Sequence, residues 1–247
     1  MSGQVDARAA YDAIADWYAD YITGPAVGFA ARAGEALVRV LGPGRGLCWD
    51  LACGTGVYAD LVRDLGWTLV GSDISLGQLR HAAGRMPVVA ADATRLPLAP
   101  GAVRAVTSVL CHTDVEDYAA LCRSAAAALA PAGRFVHVGV HPCFIGAFVD
   151  GSDPERLVTT PGYWRRARTH AGWADGIRAR VGAVHLTLGD LFQAVTAAGL
   201  MVDTVQELGE PTPDVLAIGA HKPTTGARHA EASESVAGAM THVAFEG

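Results

Sequence analysis

Short apolar runs alternate with amphipathic stretches through the middle of the chain, from about residue 47 to residue 140. An uninterrupted apolar run predicts a buried strand, and apolar residues recurring every three or four positions predict a helix. The predicted strands are Leu47–Leu51, Thr68–Ser72, Val88–Ala91, Val103–Leu110 and Arg134–Val140. The predicted helices between them are Val57–Leu65, Leu76–Ala83 and Val115–Leu129, the last ending at the Pro131–Gly133 turn. Buried strands separated by helices are typical of a parallel sheet with helices on both faces.

The pattern changes on either side of this region. Two helices, at residues 5–22 and Val27–Leu41, precede the first strand. Residues 142–182 have no regular period and are rich in proline, aromatic residues and arginine, which predicts an inserted cap. A helix at Leu188–Ala198 then leads to two strands, and the short connection between them makes the strands antiparallel neighbours. These two strands are predicted at Leu200–Glu207 and Val215–Ala220.

The elements predict three segments along the chain. They are an N-terminal helical lid at 1–44, an α/β domain at 45–221 that includes the cap, and a disordered tail at 222–247. The sheet of the α/β domain is expected to have seven strands, mostly parallel, with an antiparallel last strand. Ligands of such sheets bind beyond the carboxyl ends of the strands, so residues that follow the strands are the candidates for a site.

Composition excludes several classes of protein. The chain has 247 residues, of which 51% are hydrophobic and 18% charged, so it can bury a sizeable core. A net charge of -6 gives no general attraction to nucleic acid or to anionic membrane. No apolar run approaches the roughly 20 residues of a membrane span, and the N-terminus lacks the pattern of a signal peptide. The five cysteines are scattered without metal-ligand spacing, so we expect reduced thiols, no metal and a cytoplasmic protein.

A glycine-rich loop, Asp50-Leu51-Ala52-Cys53-Gly54-Thr55-Gly56, joins the first strand to a helix. Glycine permits a tight turn there, and the helix start offers free N–H groups to a polar cofactor. Two cofactors fit this arrangement. The segment Gly54–Ala59 matches the dinucleotide pattern G-x-G-x-x-G/A, and Asp73 follows about twenty residues later, as that pattern requires.

Three other features favour a different cofactor. Asp50, just before the loop, would repel a pyrophosphate but suits a cationic ligand. Asp92, after the third strand, can accept a hydrogen bond from an exocyclic amine such as that of adenine. The third feature is the closing antiparallel pair of strands. Together with the loop, Asp73 and the Pro131–Gly133 turn, these features resemble the class I S-adenosylmethionine-dependent methyltransferases of the small-molecule type, over roughly Tyr11 to His221.

The resemblance implies a Rossmann-like fold and S-adenosylmethionine as the cofactor. The methionine part would lie against the loop and beside the end of the fourth strand, at Asp50, Ala52, Cys53, Gly54, Thr55, Gly56, Leu110 and Cys111. Asp73 would accept both ribose hydroxyls, Ile74 would pack on the adenine, and Asp92 and Ala93 would meet its edge. Two positions depart from the family: Ala52 stands where many relatives have glycine, and Arg104 where members often have an acid.

Methyl transfer from a sulfonium needs an aligned nucleophile, and sometimes a base. Two histidines follow strands at the binding edge, His112 and His141, and the choice between them stays open. Tyr11 and Tyr18 of the N-terminal helix are placed to reach the cofactor or the acceptor. In the cap, Arg165 and Arg166 are candidates to meet an anionic group on the acceptor, alongside Tyr163 and Trp164.

The sequence therefore predicts methyl transfer to an oxygen, nitrogen or carbon of a small molecule, with no nucleic-acid or membrane partner. Two alternatives remain. One is an NAD-dependent oxidoreductase, and the other is a protein that keeps the methyltransferase fold without methylating.

Overall fold

The computed structural model describes residues 7–95, 98–153, 156–171 and 176–224. The described helices are α1 Ala7–Thr23, α2 Val27–Leu41, α3 Ala59–Asp64, α4 Leu76–Ala82, α5 Tyr118–Ala128, α6 Ile177–Val181 and α7 Leu188–Ala197. The described strands are β1 Leu47–Leu51, β2 Thr68–Asp73, β3 Val88–Ala90, β4 Val103–Val109, β5 Leu129–Val140, β6 Val149–Asp153, β7 Arg156–Thr159, β8 Met201–Leu208 and β9 Val215–His221. The predicted tail lies outside the described residues from position 225 onward.

Seven of the described strands form one sheet in the order β3-β2-β1-β4-β5-β9-β8. Neighbouring strands from β3 to β5 are parallel, and β9 runs antiparallel to both β5 and β8. The predicted sheet, with its antiparallel last strand, is thus confirmed. The strand order reverses between β1 and β4, so the topological switch point, where ligands bind in open α/β sheets, lies between these two strands.

The sheet is covered on both faces because side chains alternate along each strand. On β5, Phe135 packs with Leu121 of α5 and Leu191 of α7 in one core cluster. The next residue, Val136, packs with Leu37 of α2 in a second cluster. Helices therefore hold the sheet from both sides and leave its carboxyl edge for the loops.

Two boundaries differ from the sequence-based predictions around α5 and β5. Helix α5 begins at Tyr118, three residues later than predicted, because the Asp117 side chain caps it by accepting from the Ala120 N–H at 2.8 Å. Strand β5 begins at Leu129, so the Pro131–Gly133 turn lies inside the strand as an irregularity. Pairing with β4 shifts between Val103 and Ala105 at this point, and Ala132 adopts a φ of 60°.

Hydrogen bonds to the sheet domain continue one residue past β9, which ends at His221. The backbone N–H of Lys222 donates to the Gly133 carbonyl at 2.9 Å. Its ammonium donates to the carbonyls of Ala126 and Leu129 at 2.8 and 2.7 Å. A cation at the C-terminal end of α5 is favourable because the last helical carbonyls lack intrahelical partners.

The cap contains more regular structure than its sequence predicts. Strands β6 and β7 pair antiparallel as a separate two-stranded sheet. The short helix α6 follows, and Thr169 and Ala183 exchange backbone hydrogen bonds at 3.0 and 2.9 Å. The N–H of Val184 then donates to the Thr113 carbonyl at 2.8 Å, which joins the cap to the loop after β4.

Candidate functional site

The glycine-rich loop after β1 has a backbone that winds through left-handed conformations. Ala52, Gly54 and Gly56 have φ values of 52°, 53° and 69°. The positive φ favours glycine at Gly56, and a Cβ there would lie 3.0 Å from the methyl carbon of Met86, which would have to shift slightly. The Cys53 N–H donates to the Ser72 carbonyl at 2.9 Å and thereby fixes the loop to the end of β2.

Asp73 ends β2 and faces this loop. Its carboxylate accepts from the Gly54 N–H at 2.9 Å and from the Ser75 N–H at 2.8 Å. Burial raises the pKa of Asp73, and these backbone hydrogen bonds oppose the rise. Ser75 instead caps α4, accepting from the Gln78 N–H at 3.1 Å. Asp73 is therefore free of the capping role and is oriented by the loop itself.

Asp50 is a buried acid at the end of β1. Its carboxylate accepts from the Thr107 hydroxyl at 2.8 Å, and the residue is only 4% exposed. Burial raises its pKa to about 7, which the hydrogen bond from Thr107 only partly offsets, and the negative charge of Asp73 adds to the rise. Such a carboxyl group is stabilised in its charged form by a cation bound close to it.

The predicted adenine contacts lie after β2 and β3. Ile74 is 40% exposed beside Asp73, which gives this edge an apolar surface. Asp92 is exposed, and its Oδ1 atom accepts from both the N–H and the hydroxyl of Thr94, at 2.9 and 2.8 Å. Ala93 is buried. The sheet thus brings Ile74 and Asp92 to the same carboxyl edge as the glycine-rich loop.

Three buried polar side chains around this edge have no hydrogen-bond partner among the described residues. They are the amide of Gln78, the hydroxyl of Tyr58 and Nδ1 of His112. The Gln78 Oε1 atom lies 3.8 Å from the position that a Cβ of Gly54 would occupy. Buried polar groups ordinarily find partners, so orphaned groups beside a glycine loop fit a polar cofactor. The sequence did not predict Gln78 as a site residue, because only the structure shows that its side chain is buried beside Gly54.

The loop after β4 brings a further acid into the site. Leu110 adopts a φ of 57° and donates its N–H to the Val138 carbonyl at 2.7 Å. Cys111 is buried with its thiol 3.0 Å from the Ser108 hydroxyl. Asp114 follows and forms a hydrogen bond with the hydroxyl of Tyr11. Burial raises the pKa of Asp114 to about 7, while Tyr11 and Arg168 oppose the rise. Sequence reasoning missed Asp114, although it stands two residues after His112.

The two histidines proposed as bases have restricted surroundings. His112 is 2% exposed, and its ring centroid lies 5.0 Å from that of His137. Burial lowers the pKa of His112 well below its usual value, and His137 adds to the effect. His141 places Nε2 2.6 Å from Glu207, and its Nδ1 accepts from the Cys143 N–H at 3.2 Å. Both nitrogens of His141 are therefore engaged within the protein.

Helix α1 lies over the carboxyl edge. Tyr11 bonds to Asp114, and its ring packs edge-on against Tyr18 with centroids 6.1 Å apart. Asp12 accepts from the Ser75 hydroxyl at 2.6 Å and from the Gly77 N–H at 2.7 Å, which fixes α1 to the start of α4. Both predicted tyrosines thus border the site between Asp73 and Asp114, and burial together with these two acids raises the pKa of each hydroxyl.

The structure separates the four cap residues predicted to bind the acceptor. Arg165 lines a cavity of about 110 Å³ inside the cap. Arg166 instead pairs with Asp190 of α7, with Nε 2.9 Å from Oδ2. The Tyr163 hydroxyl accepts from the Leu188 N–H at 2.9 Å, and Trp164 is 75% exposed. Arg166 and Tyr163 therefore hold the cap to α7, a contact between distant segments that the sequence does not show.

Part of the chain, including the glycine-rich loop, is similar to known methyltransferases. Residues 49–137 match a family model described as a methyltransferase domain. A demethylmenaquinone methyltransferase from Mycolicibacterium vanbaalenii is 42% identical over 88 residues, which are 35% of this chain and 39% of that protein. The match thus spans about two fifths of the curated relative's length.

Solved structures extend the likeness to most of the chain. An S-adenosylmethionine-dependent methyltransferase from Mesorhizobium loti has a TM-score of 0.62 and 25% identity, covering 77% of this chain and 96% of that one. The 4+2 cyclase SpnF shares the fold at 16% identity, with a TM-score of 0.58 over 79% of this chain and 81% of its own.

The family-model match thus includes the end of β1, the glycine-rich loop, Asp73 and the loop after β4. The chain has the class I fold of the S-adenosylmethionine-dependent methyltransferases, which confirms the fold predicted from the sequence. S-adenosylmethionine is the cofactor of that family. Among the described residues, no helix is long and apolar enough to cross a membrane, and no group of three or more His, Cys, Asp or Glu side chains is arranged to hold a metal ion.

Proposed function

We propose that this protein transfers the methyl group of S-adenosylmethionine to a small molecule held between α1, the loop after β4 and the cap. The observation that carries the proposal is the acidic carboxyl edge, where Asp50 and Asp73 lie on either side of the glycine-rich loop. The curated relatives support a small acceptor, because the named ones act on demethylmenaquinone according to their names. Whether oxygen, nitrogen or carbon receives the methyl group depends on the acceptor.

The residues fit the cofactor by their chemistry. Asp50 would complement the positive charges of the methionine part, together with backbone groups of Ala52, Cys53, Gly54, Thr55 and Gly56. Asp73 and the orphaned amide of Gln78 would bind the ribose hydroxyls, and Ile74, Asp92 and Ala93 would meet the adenine. Leu110 and Cys111 would border the sulfur. The bound cofactor supplies an activated methyl group, so the protein mainly has to align the acceptor with it.

Proton removal from the acceptor, where it is needed, suits Asp114 better than either histidine. A base with a pKa near the working pH is most effective, and burial raises the pKa of Asp114 to about 7. Asp114 is also joined to Tyr11, and Thr113 beside it bonds to the cap through Val184. His112 is buried with a lowered pKa, and the nitrogens of His141 are already engaged. We therefore propose Asp114 as the proton acceptor, with Tyr11 orienting it.

Binding experiments test the choice of cofactor. We expect S-adenosylhomocysteine to raise the melting temperature by about 5–10 °C at a hundredfold excess over its Kd, since that excess stabilises a protein by about 2.7 kcal/mol. NADH should produce no shift. The Asp73→Asn variant should bind S-adenosylhomocysteine at least tenfold more weakly in calorimetry, with Asp60→Asn on the exposed face of α3 as the matched control. Equal affinity of Asp73→Asn and the wild type would remove Asp73 from the cofactor site.

Product analysis separates methyl transfer from a non-methylating role. The fold of SpnF shows that a protein of this architecture can carry out another reaction. Incubation with methyl-labelled S-adenosylmethionine and a panel of small hydroxy and carboxylic acids should give labelled product and S-adenosylhomocysteine. Tight cofactor binding without label transfer to any acceptor would favour the non-methylating alternative.

A further inference from the structure

The cap encloses a cavity of about 110 Å³ with an unusual charge balance. Its described lining includes two arginines and a histidine but no carboxylate, although the whole protein has a net charge of -6. The remaining lining is small or apolar, with Phe148 and two threonines, Thr160 and Thr169. A cavity of this volume accommodates one end of a small organic molecule.

Arg178 is the cation most enclosed by this cavity. Its side chain is half-buried, and within the described parts of the chain it forms no hydrogen bond or ion pair. Three other cap arginines are engaged: Arg166 pairs with Asp190, Arg168 donates to three backbone carbonyls, and Arg180 lies over the Trp17 ring at 4.0 Å. Arg178 therefore has guanidinium N–H groups to offer to a ligand.

His185 also lines this cavity, and its Nε2 atom is available to accept a hydrogen bond. Its imidazole bonds to the backbone carbonyl of Tyr163, and burial together with Arg178 lowers its pKa, so the ring is neutral at pH 7. The Nε2 atom is buried and has no hydrogen-bond partner among the described residues. Aromatic contacts with Phe148 and Tyr163, at centroid distances of 5.0 and 5.3 Å, fix the ring plane.

The cavity adjoins the proposed transfer site. Val184, which lines it, donates to the Thr113 carbonyl at 2.8 Å, and Asp114 follows Thr113 in the loop after β4. Asp114 also acts electrostatically on Arg178, so the two side chains are neighbours across this contact. A molecule anchored in the cap can thus extend towards Asp114 and Tyr11.

We propose that this cavity anchors the carboxylate of a hydroxy-carboxylic acid acceptor, with Arg178 and Arg165 donating to the carboxylate and His185 Nε2 accepting from a neighbouring hydroxyl group. A guanidinium matches a planar carboxylate with two parallel hydrogen bonds. Phe148 supplies an apolar wall for a ring or short chain. The inference rests on the proposed function, because the bound acid is a methyl acceptor only if the protein transfers methyl groups. Binding of a carboxylate in the cavity can nevertheless be tested without any methyl transfer.

The test titrates benzoate, 3-hydroxybenzoate and benzamide into the protein and follows the arginine Nε–H signals by nuclear magnetic resonance. The Arg178 signal is identified by its loss in Arg178→Gln. We expect benzoate to move this signal and benzamide to leave it in place. The Kd for benzoate should rise at least tenfold in Arg178→Gln and stay within twofold in Arg123→Gln, on the exposed face of α5. Equal responses to benzoate and benzamide would overturn the proposal.

Two further variants keep the test independent of folding. Arg165 is exposed, so Arg165→Gln should fold normally and bind benzoate about threefold more weakly. His185→Phe keeps the ring but loses Nε2, so it should remove only the preference for 3-hydroxybenzoate over benzoate. If neither variant changes binding, the anion is held elsewhere and the cavity is not its site. Binding of S-adenosylhomocysteine, measured on the same samples, reports separately on the proposed function.

Discussion

At the scale of single residues, burial makes the carboxyl group of Asp50 hard to ionise. Burial raises its pKa to about 7 from an ordinary value of 3.8. The folded protein therefore holds a proton that the unfolded chain releases between about pH 4 and pH 7, so stability falls as the pH rises through this window. A cation beside Asp50 would reverse the shift and release the proton.

This pKa shift predicts a pH-dependent effect of Asp50→Asn on stability. The amide can still accept from Thr107, but it carries no charge to bury. We expect the variant to be more stable than the wild type at pH 8, by about 2–4 kcal/mol, and about equal to it at pH 4. Denaturant unfolding at both pH values measures the difference. Asp60→Asn, on an exposed acid, should show no such pH dependence, and an equal gain at pH 4 and pH 8 would contradict the explanation.

Ala52 is strained for a different reason. Its φ of 52° is a left-handed conformation in which a Cβ costs roughly 1 kcal/mol. We expect Ala52→Gly to raise the free energy of unfolding by about 0.5–1 kcal/mol, measured by denaturant unfolding. Ala31→Gly, at an exposed interior position of α2, should lower it by a similar amount. A destabilised Ala52→Gly would mean that the Ala52 methyl group makes packing contacts worth more than the strain.

At the scale of elements, α1 is attached to the sheet domain chiefly through α4. Gly77 permits the close approach, because a Cβ there would lie 2.9 Å from the Ala15 Cβ. Asp12 then accepts from Ser75 and Gly77 at the start of α4. These two hydrogen bonds join α1 to the start of α4, next to Asp73.

Loss of this attachment should loosen α1 without unfolding the domain. We expect Asp12→Ala to increase hydrogen exchange in α1 at least tenfold and to weaken S-adenosylhomocysteine binding several-fold, while the core strands keep their protection. The reason is the loss of a charge-assisted cap worth about 1–2 kcal/mol. Asp16→Ala is the matched control, since its partners Arg80 and His81 are surface groups and such pairs contribute little. Unchanged exchange in Asp12→Ala would show that apolar packing alone holds α1.

At the scale of the whole molecule, the sheet and its carboxyl edge could be predicted because their signals are local. The strand Leu47–Leu51 and the helix Val27–Leu41 have the predicted bounds, since an apolar run and its breakers mark them directly. The β6–β7 hairpin was not predicted, because its strands are mostly exposed and their apolar and polar residues do not alternate. Short polar strands of this kind are stabilised by their pairing rather than by a buried face.

The candidate site likewise contains residues that could be predicted from the sequence and residues that could not. Asp50, Asp73 and the glycines follow strands in an order that the sequence displays, so the cofactor edge could be predicted from residue types and spacing. Arg166 could not be separated from Arg165 or Arg178, because its partner Asp190 is 24 positions away. Gln78 and Asp114 acquire their roles only when folding buries them beside other polar groups.

Helix α1 contacts the start of α4 through Asp12, beside Asp73, and contacts the cap through Trp17, over which Arg180 lies. A movement of α1 away from the sheet edge would therefore also loosen its contact with the cap. On the proposed function, spent cofactor and methylated product would leave during the same opening, and a fresh pair would enter before the next closing. Opening of α1 would then be the rate-limiting step. The turnover rate would depend on how long the helix stays over the sheet edge and not on the rate of methyl transfer.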